Sequence, residues 1–189
     1  MCREFLFYLC IIMKSVSIIL LAIFLILTGC KKDKTPSLSG TVTIDNNLGG
    51  DDKTGYYAYG FSFVLAKKVS TVDNPPPDIT IDNDGTPANL VLQANNFKDS
   101  FYKAGEFADA TAAQQAFKNL TSLTVPQLSE WSEWAYLIKP NQIWIYRSGT
   151  DHFSKFRIIS TNSEPRVPRD FAECTFEWVY QPDGSLTFP

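Results

Sequence analysis

Period-two alternation over the last third of the chain confines that region to antiparallel sheet. Gln142 to Arg147 sets Ile143 and Ile145 on one side and Trp144 and Tyr146 on the other. Ser148-Gly149-Thr150-Asp151 supplies a turn, and Phe153 to Ser160 returns alongside. Glu173 to Tyr180 puts Cys174, Phe176, Trp178 and Tyr180 on one face, and Pro182-Asp183-Gly184 turns into Ser185 to Phe188. Connections this short join antiparallel neighbours, because parallel strands need long crossovers.

Upstream, the signals are weaker but point the same way. Asp45 to Gly55 is rich in Asp, Asn and Gly and reads as a loop. Tyr56 to Ala66 follows as a strand, with Phe61, Phe63 and Leu65 alternating with Ser62 and Val64. Val72 to Pro77 holds three consecutive prolines and cannot lie inside a sheet. Ile79-Thr80-Ile81, Leu90 to Gln93 and Phe97 to Tyr102 read as short strands, with Asn83-Asp84-Gly85 as a turn. One helix is indicated. Thr111 and Gln114 match a capping box, and Ala113, Ala116, Phe117 and Leu120 form one apolar stripe. The fold class is therefore mainly β: a single antiparallel β-rich domain over residues 40–189, with one or two short helices and a C-terminal β-meander.

The N-terminus reads as an export signal. Val16 to Leu27 is uncharged and apolar, too short for a comfortable transmembrane helix, and ends in Leu27-Thr28-Gly29-Cys30. That ending resembles a bacterial lipobox. It implies cleavage before Cys30, lipid on the Cys30 thiol, and tethering to an envelope membrane. Residues 1–29 form the signal peptide on this reading, and residues 30–39 the lipidated cysteine and a polar tether with charged Lys31-Lys32-Asp33-Lys34. Met13-Lys14-Ser15 makes a complete n-region by itself, so Met13 is read as the true start.

Composition narrows the function classes. The formal charge is −3; Arg3, Lys14 and Glu4 leave with the signal, which makes the mature balance −4. No basic patch stands out, which argues against nucleic acid as a partner. Cys2 and Cys10 lie in the discarded segment and Cys30 is lipidated, so Cys174 has no internal disulfide partner and reads as a small buried hydrophobe. Gly-x-Ser-x-Gly, His-Glu-x-x-His and a phosphate-binding glycine loop are all missing, so the chain is not read as an enzyme. Asp78, Asp82, Asp84 and Gly85 only faintly suggest a calcium loop, without its remaining spacing, and tight-turn chemistry accounts for them.

Several of these residues carry a family resemblance. Gly60-Phe61-Ser62-Phe63, a mid-chain helix with Ala-Phe, and the closing runs Ile143–Arg147, Phe153–Ser160 and Phe176–Ser185 together resemble the HmuY family of haem-binding lipoproteins of the Bacteroidota. The Lys-Phe-Arg-Ile strand and the final Tyr-Gln-Pro-Asp-Gly-Ser hairpin are the most specific parts. The resemblance covers most of the mature chain. It implies a mostly β fold anchored at the outer membrane, often surface exposed, that captures haem and hands it to an outer-membrane receptor.

Members of that family use a pair of His or a pair of Met on the haem iron. Here the mature chain has one histidine, His152, and no methionine, since Met1 and Met13 lie in the signal. The candidate haem site is therefore His152 at a hairpin tip, with Tyr146, Arg147 and Lys155 beside it. His152 is either a single iron ligand, five-coordinate or shared between two chains, or a solvated turn residue. Tyr56, Tyr57 and Tyr59 cluster, but a phenol must lose its proton to bind iron well, and packing suits them better. Arg147, Lys155 and Arg157 either pair with haem propionates or form the charged outer face of the sheet. Trp131 and Trp134 either wall a pocket or belong to the core. The alternative function is an HmuY-like lipoprotein without iron ligation that binds another apolar ligand or a protein partner at the envelope.

Overall fold

In the computed structural model, the described residues are 36–51, 55–96, 98–124 and 130–189. The signal peptide, Cys30 and most of the tether lie outside them. The first half contributes β1 (Ser39–Asp45), β2 (Leu48–Asp51), β3 (Gly55–Ser62), β4 (Lys67–Ser70), β5 (Ile79–Asn83), β6 (Leu90–Ala94) and β7 (Phe101–Glu106). Then come α1 (Ala110–Asn119), β8 (Trp134–Ala135), β9 (Gln142–Arg147), β10 (Phe153–Glu164) and β11 (Phe171–Gln181). The strands form two antiparallel sheets. One runs β1-β11-β10-β9-β7; the other runs β2-β3-β5-β6-β8, with β4 also paired to β3.

The C-terminal alternation sets the first sheet. Tyr146 lies opposite Ser154 and Ser154 opposite Tyr180; one step on, Trp144, Phe156 and Trp178 align. These residues face the second sheet, where Phe61, Phe63, Ile79, Ile81 and Leu92 complete the main core. Phe176 sits at its centre with Phe61, Phe63 and Phe156 around it at ring separations of 5.5–6.3 Å. The mainly β antiparallel architecture with one or two short helices, read from the sequence, is the one found, with one α-helix among the described residues.

A second core lies on the other face of the same sheet. Trp131, Ile145, Leu186 and Phe188 are buried there, with Leu120, Leu123 and Phe153 packed against them. This is why both sides of β9 are buried. The helix and the C-terminal segment cover a face that a lone meander would leave in water.

Local details depart from the sequence reading in six places. The Asp45–Gly55 stretch is not all loop, because β2 pairs with β3 through Leu48↔Ala58 and Gly50↔Tyr56. A Cβ on Gly49 would meet the Tyr59 and Tyr57 rings at 2.8 and 2.9 Å, so both rings would have to shift. The strand read to Ala66 stops at Ser62, and Phe63 is buried from within the following turn, which Ala66 closes at φ 51°. The strand expected from Phe97 begins at Phe101, with Phe97 outside the described residues. The helix cap is Asp109 rather than Thr111: Asp109 is extended and its Oδ1 accepts the Ala112 N–H at 2.8 Å, leaving Thr111 inside the first turn. Ser185 to Phe188 forms only one bridge, Ser122↔Thr187, because Leu186 and Phe188 turn into the second core. β1 also begins at Ser39, the last residue assigned to the tether.

Candidate functional site

His152 follows the turn joining β9 to β10. Ser148 shapes the turn: its carbonyl accepts the Asp151 N–H at 3.1 Å and its hydroxyl accepts the His152 N–H at 3.0 Å. Asp151 takes φ 57°, a conformation that Asp tolerates. The imidazole is half-buried, with Nδ1 3.1 Å from the Tyr180 hydroxyl and the two rings edge-to-face at 6.3 Å. If Nδ1 donates to Tyr180, Nε2 keeps its lone pair and can take a metal; if Tyr180 donates, Nε2 carries the proton and cannot.

The other candidates do not gather around this ring. Tyr146 is 2% exposed and belongs to the core, stacked on Phe63 at 5.4 Å. Its hydroxyl donates to the Asp78 carbonyl at 3.3 Å and reaches Oδ1 at 3.4 Å. Burial, reinforced by the Asp78 charge, pushes this phenol above its ordinary value, which opposes the phenolate that iron would need. Arg147 lies on the opposite face of β9. It donates to the Asp99 carbonyl at 2.8 Å and stacks over Trp131 at 4.7 Å.

Lys155 is neither on a solvated face nor open to a ligand's carboxylates. It is 2% exposed, beneath the C-terminal end of α1. Nζ donates to the Phe117 carbonyl at 3.1 Å and the Leu120 carbonyl at 2.8 Å, groups a helix end leaves without partners. It also lies over the Phe117 and Phe188 rings. Arg157 is buried as well and donates through Nε and Nη2 to Glu177 Oε2 at 3.2 and 2.9 Å. The expected charged outer face is thus covered, and its cations serve the chain's own carbonyls and carboxylate.

A groove of about 340 Å³ opens beside this covered face. Ser39 and Thr41 of β1, Glu177 and Val179 of β11, and Phe117 and Lys118 of α1 line it, with Lys155 and Pro189. Lys155 alone of the four candidate haem residues borders it. A second cavity, of about 210 Å³, lies between Asn46–Leu48 and Arg166–Phe171. Asp82 near it is engaged by Arg169, and Asp78 by Phe63 and Tyr146, so neither carboxylate is available to a calcium loop. Among the described residues no group of three His, Cys, Asp or Glu could hold a metal ion. Trp131 is core; Trp134 stacks on Tyr136 at 5.5 Å. Tyr57 and Tyr59 meet edge-to-face at 5.4 Å. Cys174 is fully buried, and burial holds its thiol well above its usual value, so it is inert packing.

Asp78 is a half-buried residue at the margin of the core whose role there the sequence does not signal. Its Oδ2 accepts the Phe63 N–H at 2.7 Å. Burial raises its pKa above the ordinary 3.8, against the Phe63 N–H and the Ser62 and Tyr146 hydroxyls that lower it. A raised folded value means that the native chain holds this proton more tightly than the unfolded chain does. The contribution to stability is therefore complete below 3.8 and is lost as pH rises through the folded value. At pH 7 the ionised group is a net cost. In Asp78→Asn the amide oxygen can still accept from Phe63 and its nitrogen can donate to Tyr146. Denaturation at pH 3.5 to 7 should show the variant gaining on wild type as pH rises, and exceeding it at pH 7; an Asn variant less stable than wild type at pH 7 would refute this.

A scan of protein-family models, a search of curated proteins and a search of solved structures each find no match.

Proposed function

We propose that this chain is an outer-membrane lipoprotein of the HmuY type, tethered through Cys30, whose β-sandwich binds an apolar ligand or a protein partner without iron ligation. One observation carries the reading. The three side chains expected beside His152 are engaged elsewhere: Tyr146 in the core, Arg147 on Asp99, and Lys155 on the helix end. None of the three then supplies His152 with a second ligand or with a cation for propionates.

Haem capture through His152, with hand-over to an outer-membrane receptor, is the second reading. It is favoured by the Tyr180 contact, which orients the ring and, in one tautomer, leaves Nε2 open. Titration of the full chain, purified from membranes in detergent, with oxidised and reduced haemin separates the two. The first reading expects no saturable Soret shift that depends on His152. A saturable shift in wild type that His152→Ala abolishes would establish the second reading instead.

A further inference from the structure

We propose that the outer edge of β1 is a docking site for an extended segment of a partner protein, added as a strand beside Ser39–Thr43, with an acidic side chain directed into the adjoining groove. This rests on the partner-binding reading above and names the surface that serves it.

The backbone supplies the first argument. Among the described residues, β1 pairs only with β11. Just beyond its two ends, the Tyr180 N–H donates to the Leu38 carbonyl at 2.7 Å and the Asn46 N–H to the Ala172 carbonyl at 3.0 Å. Antiparallel pairs alternate between bonded and non-bonded, so the even residues Gly40, Val42 and Ile44 exchange bonds with β11. The odd residues Ser39, Thr41, Thr43 and Asp45 therefore turn their N–H and C=O groups away from the sheet. The Ser37 hydroxyl occupies those of Ser39, donating to its carbonyl at 2.6 Å and accepting from its N–H at 3.4 Å. Lys68 lies against the Asp45 carboxylate at 3.4 Å and closes that end. Thr41 and Thr43 are left with two N–H and two C=O groups directed outward, enough to bond a short added strand.

The edge also lacks the usual protection. β4, another outlying strand, begins Lys67-Lys68, the charged pattern that discourages strand addition. In β1, residues 39–44 read Ser-Gly-Thr-Val-Thr-Ile, with no charge and no proline.

The groove gives the partner its chemistry. It borders Ser39, Gly40 and Thr41 on the side where Val179 and Phe117 present apolar surface. Lys118 and Lys155 line it, and its one lining carboxylate is that of Glu177, which Arg157 already pairs. Cations exceed anions by one. Lys155 is spent on the helix end, so the exposed Lys118 is the cation that an incoming carboxylate meets. A strand beside β1 would project alternate side chains toward this groove, and an acidic one matches it.

Selection from a displayed library of random octapeptides on the full chain in detergent tests the site. The expected result is enrichment of alternating β-branched sequences with one acidic position. Affinity should fall at least about tenfold in Thr41→Pro, which removes an outward N–H and leaves the β11 ladder intact. Lys118→Glu should reverse the acidic preference. Should Thr41→Pro melt early, N-methylation of alternate residues in the selected peptide gives the same reading on wild type. Enriched peptides that bind Thr41→Pro, or their N-methylated forms bind wild type, as well as the unaltered pair would overturn the proposal, as would no enrichment. A wild-type dimer that Thr41→Pro dissolves would assign the edge to a second copy instead. The haemin titration reads His152 alone, so failure of this edge leaves the ligation reading standing, and a haem signal leaves the peptide result to be judged by itself.

Discussion

Gly60→Ala is expected to destabilise the domain by about 3 kcal/mol or to prevent folding. A Cβ at this position would lie 2.2 Å from the Ile79 carbonyl oxygen and 2.7 Å from Pro77 Cβ. The first obstacle is backbone, and it sits where Phe61 pairs with Ile79, the single register contact that joins β3 to β5. Relief would have to push β5 away from β3 and open the core at Phe61, Ile79 and Ile81. Gly85→Ala is the natural control. Nothing lies within 4 Å of its Cβ, but φ is +70°, so only left-handed backbone strain of about 1 kcal/mol is added. Urea unfolding of both variants checks the contrast. A Gly60→Ala protein as stable as Gly85→Ala would mean that the β3–β5 approach is looser than these distances require.

The contrast also shows what a sequence can and cannot disclose. The meander from Gln142 to Gln181 is legible because most of its inward residues are large and apolar, Trp144, Phe156, Ile158, Phe176 and Trp178 among them, and the Ser148–Asp151 turn is short. Gly85 is legible as a turn from Asn83-Asp84-Gly85. Gly60 is not: its requirement comes from Ile79, nineteen residues away in a strand whose partner the sequence does not name. β2 is hidden for a related reason. Leu48-Gly49-Gly50 has the composition of a loop, but Gly49 is small because the Tyr57 and Tyr59 rings lie across it.

The candidate site separates along the same line. The hairpin bearing His152 is local, so its tip is placed correctly from sequence. The fate of its neighbours is not local. Alternation puts Arg147, Lys155 and Arg157 on one face, but only the return of α1, Trp131 and the C-terminal segment decides whether that face is wet. Tyr146 is apolar by period and polar by hydroxyl; Asp78, remote in sequence, resolves it as a core residue.

Lys155→Ala should cost about 3 kcal/mol, although the residue is a charged one in a strand that the sequence would place at the surface. The aliphatic stem is buried between Phe117, Phe188 and the sheet, and its removal leaves a cavity. The ammonium also satisfies two carbonyls at the end of α1, where positive charge is favoured. Lys155→Met separates these contributions. It keeps the stem and removes an ammonium whose pKa is lowered by burial, with Glu177 opposing. A lowered folded value means that the native chain releases this proton more readily than the unfolded chain. Stability from this group therefore rises as pH climbs through the folded value toward the ordinary 10.5, and at pH 7 the burial of charge is a cost. The methionine variant recovers that cost while losing two charge-assisted bonds, so its loss should be less than half that of alanine. It should also lack the rise in stability on the alkaline side. Urea unfolding at pH 7 and pH 9.5 measures both effects. An alanine variant within about 1 kcal/mol of wild type would mean that the helix is held to the sheet by Ala113 and Phe117 alone, and that the lysine is incidental to the fold.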